Sequence, residues 1–150
     1  MCIRDRLKPL AESAKQVEDI MKVAEQEGVD FVLNARTDAF HLGRGNDPAD
    51  NVAEAKKRGL AFLDAGAPVV FVPAILTEEQ IAELAEAFGP QRLTMIGIPG
   101  NPPLAKLEEL GVARVSYGPL SQNVALTALQ RLVEDVHQGG GVPKGTRILN

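Results

Sequence analysis

Arg36 and Asp38 put a guanidinium and a carboxylate two residues apart, directly after the mostly apolar run Phe31–Ala35. A guanidinium stays charged throughout the physiological range and presents a planar fork of donors that fits a carboxylate or phosphate bidentately. If Phe31–Arg36 is a strand, alternation puts Val32, Asn34 and Arg36 on one face and Leu33 and Ala35 on the other. Arg36 and Asn34 are then candidates to bind an anionic substrate, and Asp38 to orient Arg36 or help hold a cation. A plainer reading is equally open: Arg36 pairs with Asp38 or another acid and ties down a loop.

Three further stretches could contribute. Gly97-Ile98-Pro99-Gly100 could bring backbone N–H groups to an anion at the start of the helix that follows, so Gly97 and Gly100 are candidates for substrate binding. Ser116 stands near another strand end; without a base in sequence reach it is a binding candidate and not a nucleophile. His41 and His137 are far apart and lack metal-ligand spacing, and no acidic pair has the pattern of a metal site. Gly43-Arg44-Gly45 precedes its helix by several residues and is no phosphate loop.

The elements that must position these groups alternate regularly. Leu10–Glu27 has Ala14, Val17, Ile20, Met21 and Ala24 at helical spacing before Gly28. Strand Phe31–Arg36 follows, then a helix opened by Asp47-Pro48 and reaching Ala65, with Gly59 expected to let it approach a sheet. Val69–Pro73 is apolar on both faces, as in a covered parallel sheet. Thr77 and Gln80 form a capping box for a helix ending at Gly89-Pro90. Leu93–Ile98 is the third strand, Asn101-Pro102 caps a short helix closed by Gly111, Ala113–Tyr117 is the fourth strand, and Ser121 opens a last helix to about His137. This order means parallel strands joined by helical crossovers, either an open doubly wound sheet or part of a (β/α)₈ barrel. The lack of a Gly-rich dinucleotide fingerprint weighs against the first. In both, ligands meet the sheet at the C-terminal strand ends.

Composition bounds the function. The chain has 150 residues, 45% hydrophobic and 24% charged, with a formal net charge of -4. That balance suits a globular domain and argues against a nucleic-acid phosphate track. No apolar run approaches the roughly 20 residues of a membrane span. A single cysteine, Cys2, excludes an internal disulfide and suits a cytoplasmic setting.

FVLNARTDAF, GLAFLDAGAPVVFVPA and GVARVSYGP, in that order and spacing, resemble the isocitrate lyase/phosphoenolpyruvate mutase superfamily, in particular its phosphonomutase-like branch, over about Leu7–His137. The resemblance implies a (β/α)₈ fold of which this chain would be the C-terminal half, its four strands the fifth to eighth. It implies a Mg²⁺-dependent lyase or mutase acting on C–C or P–C bonds of small carboxylic acids, with Arg36 binding the substrate carboxylate. It also implies that the metal-binding acids, on the third and fourth strands, and the catalytic loop after the fourth lie outside this chain. Where lyases of the family carry a Glu at the sixth strand tip, this chain has Pro73, and the family's Asn after the seventh strand is replaced within Met95-Ile96-Gly97.

Residues 1–6 (MCIRDR) fall outside the resemblance and read as a non-native leader, 7–138 as the half-barrel and 139–150 as a flexible tail. Two expectations follow. The first is a fragment of a Mg²⁺-dependent enzyme, inactive alone. The second is a non-catalytic half-barrel that associates with another chain, since four strands leave two open edges. The stripe of Val124, Ala125, Leu126, Ala128, Leu129, Leu132, Val133 and Val136 on the last helix is wider than one packed face needs and adds to that second expectation, and the family resemblance implies a homo-oligomer through this helix.

Overall fold

The computed structural model describes residues 6–43 and 45–148; the expected leader, apart from Arg6, lies outside them, as do Arg44 and the last two residues of the tail. The chain forms two compact units, residues 1–116 and 117–150.

In the first unit, helix α1 (Leu10–Gln26) buries Val17 and ends at Gly28, whose φ of +65° suits glycine. Its last carbonyls are closed by Gly28 N–H donating to Glu25 O and Val29 N–H to Ala24 O. Strand β1 covers only Asn34–Arg36. The expected strand from Phe31 is shortened because β1 is an end strand whose ladder to its single neighbour engages three residues, leaving Phe31 and Val32 exposed and outside it. A one-turn helix α2 (Ala39–Leu42), unforeseen from the sequence, follows. Helix α3 (Pro48–Asp64) starts as the sequence indicates: Asp47 accepts from Ala49 N–H at 2.9 Å, with Pro48 in the first position, where its missing N–H costs nothing.

Strand β2 (Val69–Val72), helix α4 (Glu78–Phe88) and strand β3 (Leu93–Ile96) form the centre. Both halves of the Thr77–Gln80 capping box are present. Helix α5 (Leu104–Glu109) is capped by Pro103 with no side-chain bond, so Asn101 does not cap it and is committed elsewhere. Strand β4 (Val112–Ser116) closes the unit.

All four strands are parallel, in the order β1-β2-β3-β4. A doubly wound sheet reverses its strand order at a switch point; this one runs in sequence without reversal, as barrel strands do. Ala35, Val70, Val72, Leu93 and Met95 pack on Val17, Val52, Ala55, Phe62, Ile81, Leu84 and Leu107 of the helices. The alternate residues Asn34, Arg36, Phe71, Thr94 and Ile96 therefore share the opposite face. Gly59 does permit a close approach, but to a helix and not to the sheet. A Cβ there would lie 2.3 Å from the Phe88 ring of α4.

The second unit holds helix α6 (Leu120–His137), which begins at Leu120 behind Pro119 without the expected serine cap. No α6 residue is buried, and Val124, Leu126, Leu129, Val133 and Val136 are exposed. Among the described residues no helix is long and apolar enough to cross a membrane.

Candidate functional site

The polar groups of the sheet face opposite the helix-packed core include Asn34, Arg36 and Thr94. Arg36 is the last residue of β1 and lies opposite Phe71, which lies opposite Thr94. Thr37 continues the ladder, its N–H donating to Phe71 O at 3.0 Å, and its buried hydroxyl accepts from Ala39 N–H. That bond turns the chain into α2 and fixes Asp38 beside Arg36.

Arg36 and Asp38 are paired, as the plainer reading had it. Arg36 Nε donates to Asp38 Oδ1 at 2.7 Å, and Nη2 lies 2.6 Å from the same oxygen. Both contacts end on one carboxylate oxygen. Nη1 of Arg36 and Oδ2 of Asp38 have no partner among the described residues, and 42% of the Arg36 side chain is exposed. A guanidinium gripped from one edge is oriented, and its other edge stays available to an anion. The pairing and the binding role are therefore compatible.

Arg36, Asp38 and Asn34 line a cleft of about 190 Å³ together with Lys8, Gln16 and Arg58. Arg58 is a buried cation that the sequence did not flag. Its Nε donates to Glu54 at 2.6 Å and its Nη2 to the Lys8 carbonyl at 2.8 Å, holding the segment before α1 against α3. Arg6, Lys8, Arg36 and Arg58 all line the cleft with Asp38, and Lys8 and Arg58 have their own acids in Glu12 and Glu54.

The other candidates sit differently. Gly97 N–H donates to Ser116 O at 2.8 Å, extending the ladder between β3 and β4, so it is not free for an anion. Gly100 has φ +103°, and a Cβ there would come within 3.3–3.4 Å of Ile75, so the glycine serves a tight turn. The helix that follows is only six residues long, and Pro102 and Pro103 before it carry no N–H. Ser116 ends β4 opposite Ile96 and is half-buried.

Two residues that tie this end of the sheet together were missed. Asn101 accepts from Leu76 N–H at 2.9 Å and donates to Ala74 O at 3.0 Å and Ile96 O at 2.8 Å, locking the loop after β2 to the loop after β3. Thr94, buried, donates to Asn34 Oδ1 at 2.7 Å. The sequence signal for Thr94 was a lone hydroxyl in the apolar run LTMI; Asn101 resembled an ordinary helix cap.

Comparison with known proteins decides the family. The phosphoenolpyruvate phosphomutase family model matches residues 3–137. The chain belongs to this family. An uncharacterized protein of Mycobacterium tuberculosis is 32% identical over 120 residues, covering 80% of this chain and 44% of the relative. The 2,3-dimethylmalate lyase of Eubacterium barkeri is 35% identical over 103 residues, covering 67% of this chain and 33% of the enzyme. Among solved structures, a Burkholderia cenocepacia protein provisionally assigned as a phosphonomutase superposes with TM-score 0.80 at 32% identity, over 90% of this chain and 53% of its own. A crystal structure of 2,3-dimethylmalate lyase, a PEP mutase/isocitrate lyase superfamily member, superposes with TM-score 0.76 at 21% identity and so speaks to fold alone.

This phosphoenolpyruvate phosphomutase family chain thus spans about half the length of the relatives it matches. Its four parallel βα strands correspond to half of a TIM barrel. The Mg²⁺ that the family resemblance implies finds no ligand set here: among the described residues no three His, Cys, Asp or Glu side chains converge, and Asp38 is held by Arg36.

Proposed function

We propose that this chain supplies the substrate-carboxylate face of a lyase or mutase of the phosphoenolpyruvate phosphomutase family, acting on a C–C or P–C bond of a small carboxylic acid. The observation that carries the reading is the Arg36 side chain: it stands at a strand tip, gripped by Asp38 at one edge and open at the other. Its permanent charge would orient the acid and offset negative charge developing next to the carboxylate during bond cleavage. The family's metal would supply further charge stabilisation from ligands outside the described residues. The reading makes the chain inactive by itself, because no set of His, Cys, Asp or Glu side chains that could hold the family's metal converges among the described residues.

The test uses the 150-residue protein with malate followed by NMR titration, and with oxaloacetate and Mg²⁺ followed by product assay. Weak malate binding that disappears in Arg36→Ala, without turnover, is the expected result. Turnover by the purified chain, or binding indifferent to Arg36, overturns it.

A second reading, a half-barrel that associates with another chain, is supported by β1 and β4 each having one neighbour in the sheet and by the exposed apolar residues of α6. Sedimentation decides this one: assembly above the monomer, weakened by Leu129→Glu, is expected, and a stable monomer counts against it.

A further inference from the structure

We propose that a second copy of this chain completes the barrel. The free edge of β4 in each copy pairs in parallel with residues 31–33 at the free edge of β1 in the other, closing eight strands about a twofold axis that runs along them. The proposal rests on the reading of the chain as a half-barrel that associates.

Number and polarity come first. The sheet has four parallel strands in sequence order, with β1 open on one side and β4 on the other, and a TIM barrel closes with eight. Half a turn about an axis along the strands sets β4 of each copy beside β1 of the other, at both junctions at once. Pairing like edges leaves two other edges open and closes nothing.

Register selects the segment. Arg36, Phe71, Thr94 and Arg114 lie in one row across the sheet. The row starts at the last residue of β1 but reaches only the middle of β4, so it slips towards the N-terminal ends as it crosses. An eight-stranded barrel with a shear of about eight residues slips about four per half, so the row meets the second copy's chain about four residues before Arg36, at Val32. Phe31 and Val32 have strand-forming side chains, lie exposed and have no ladder within the chain. The row arrives at the segment that the sheet leaves unpaired.

Cover agrees with both. Val69, Phe71 and Ile96 lie on the face opposite the helix-packed core and are only half-buried, although β2 and β3 are paired on both sides. In a closed barrel that face is the packed interior. Outside the junction, β4 and α5 form a groove lined by Leu104, Leu107 and Val112. Helix α1, which covers β1 through Val17 and Ala35, brings an exposed Ile20 and Val23 to that groove from the second copy.

The test is sedimentation of the purified 150-residue chain over a range of concentrations, with amide hydrogen exchange at a low and a high one. A dimer is expected, with residues 31–33 protected only at the high concentration. Val32→Pro removes an N–H from the pairing segment without touching the ladder inside the chain, which starts at Asn34. It enters both junctions and should raise the dissociation constant about tenfold or more, whereas Val32→Ala keeps the backbone bond and should change it little. Three or more copies per assembly, or a dimer unaffected by Val32→Pro whose residues 31–33 stay open to exchange, overturns edge pairing by a second copy. If Leu129→Glu dissolves such a dimer, association through α6 stands without barrel closure. A monomer at every concentration overturns the proposal and the associating half-barrel together.

Discussion

The centre of the sheet and its β1 end are built from the same kinds of residues and held to different degrees. β2 and β3 are paired on both sides, and Val70, Val72, Leu93 and Met95 are sealed under α3, α4 and α5. At the loops beyond them the polar groups are matched inside the protein: Asn101 by Leu76, Ala74 and Ile96, and Gly97 by Ser116. β1 has one neighbour, three residues of ladder, an exposed Val32 and a guanidinium with one edge open. The difference teaches where to look for chemistry. A group whose hydrogen bonds are completed by its own fold stabilises the fold; a group held in place with capacity left over can act on something else.

The largest test of this contrast is hydrophobic. Ile81 is fully buried in the centre, so Ile81→Ala should cost about 3 kcal/mol by loss of transfer energy and creation of a cavity. Val32, 71% exposed beside β1, should tolerate Val32→Ala within about 0.5 kcal/mol. Urea unfolding of the two variants measures both, and equal costs would break the comparison. Asn101→Ala comes next. It leaves one N–H and two carbonyls without their partner, and about 2 kcal/mol of stability should go with them. A silent Asn101→Ala would mean that water replaces the amide and that the loops beyond β2 and β3 are not locked.

At the other end Arg36→Ala should reverse the pattern. An exposed pair such as Arg36–Asp38 contributes little to folding, so stability should change by less than about 0.5 kcal/mol. Carboxylate binding should fall about tenfold or more, because the free donor edge is gone. Arg36→Lys should recover only part of it, since an ammonium keeps the charge and loses the fork. Destabilisation without loss of binding would turn Arg36 into a structural residue.

The same contrast explains what the sequence could convey. Helices with strong local signals were legible: Asp47-Pro48 and the Thr77–Gln80 box act within one turn, and both hold in the structure. Strand limits depended on partners; Phe31–Leu33 has strand character but no ladder at the sheet end, and periodicity carries no information about neighbours. The α/β class and the sequential strands followed from the alternation of elements and from ARTDA. Arg36 was visible because charge at a strand end is visible. Its grip by Asp38 was one of two readings open, and the 2.7 Å bond from Arg36 Nε to Asp38 Oδ1 decides for it. Thr94 and Asn101 act across 60 and 25–27 residues, where a single sequence shows composition and no contact.

The smallest expected effect lies at the start of α4 and sharpens the comparison from the side of the centre. Glu79 titrates below the ordinary glutamate range because its own backbone N–H bonds the carboxylate and the Thr77 hydroxyl donates to it. Its folded-state value is depressed, so its contribution is present above the unfolded glutamate pKa and is lost as pH falls through the lower folded value. Thr77→Ala should move the Glu79 carboxyl titration upward, followed by side-chain carbon shifts. At neutral pH it should cost about 1 kcal/mol through the lost cap. Arg36→Ala should leave that titration where it is. A shift of Glu79 in Arg36→Ala would show that the β1 tip and the α4 start are electrostatically joined, and that the separation between a self-satisfied centre and an available edge is weaker than the hydrogen bonds make it.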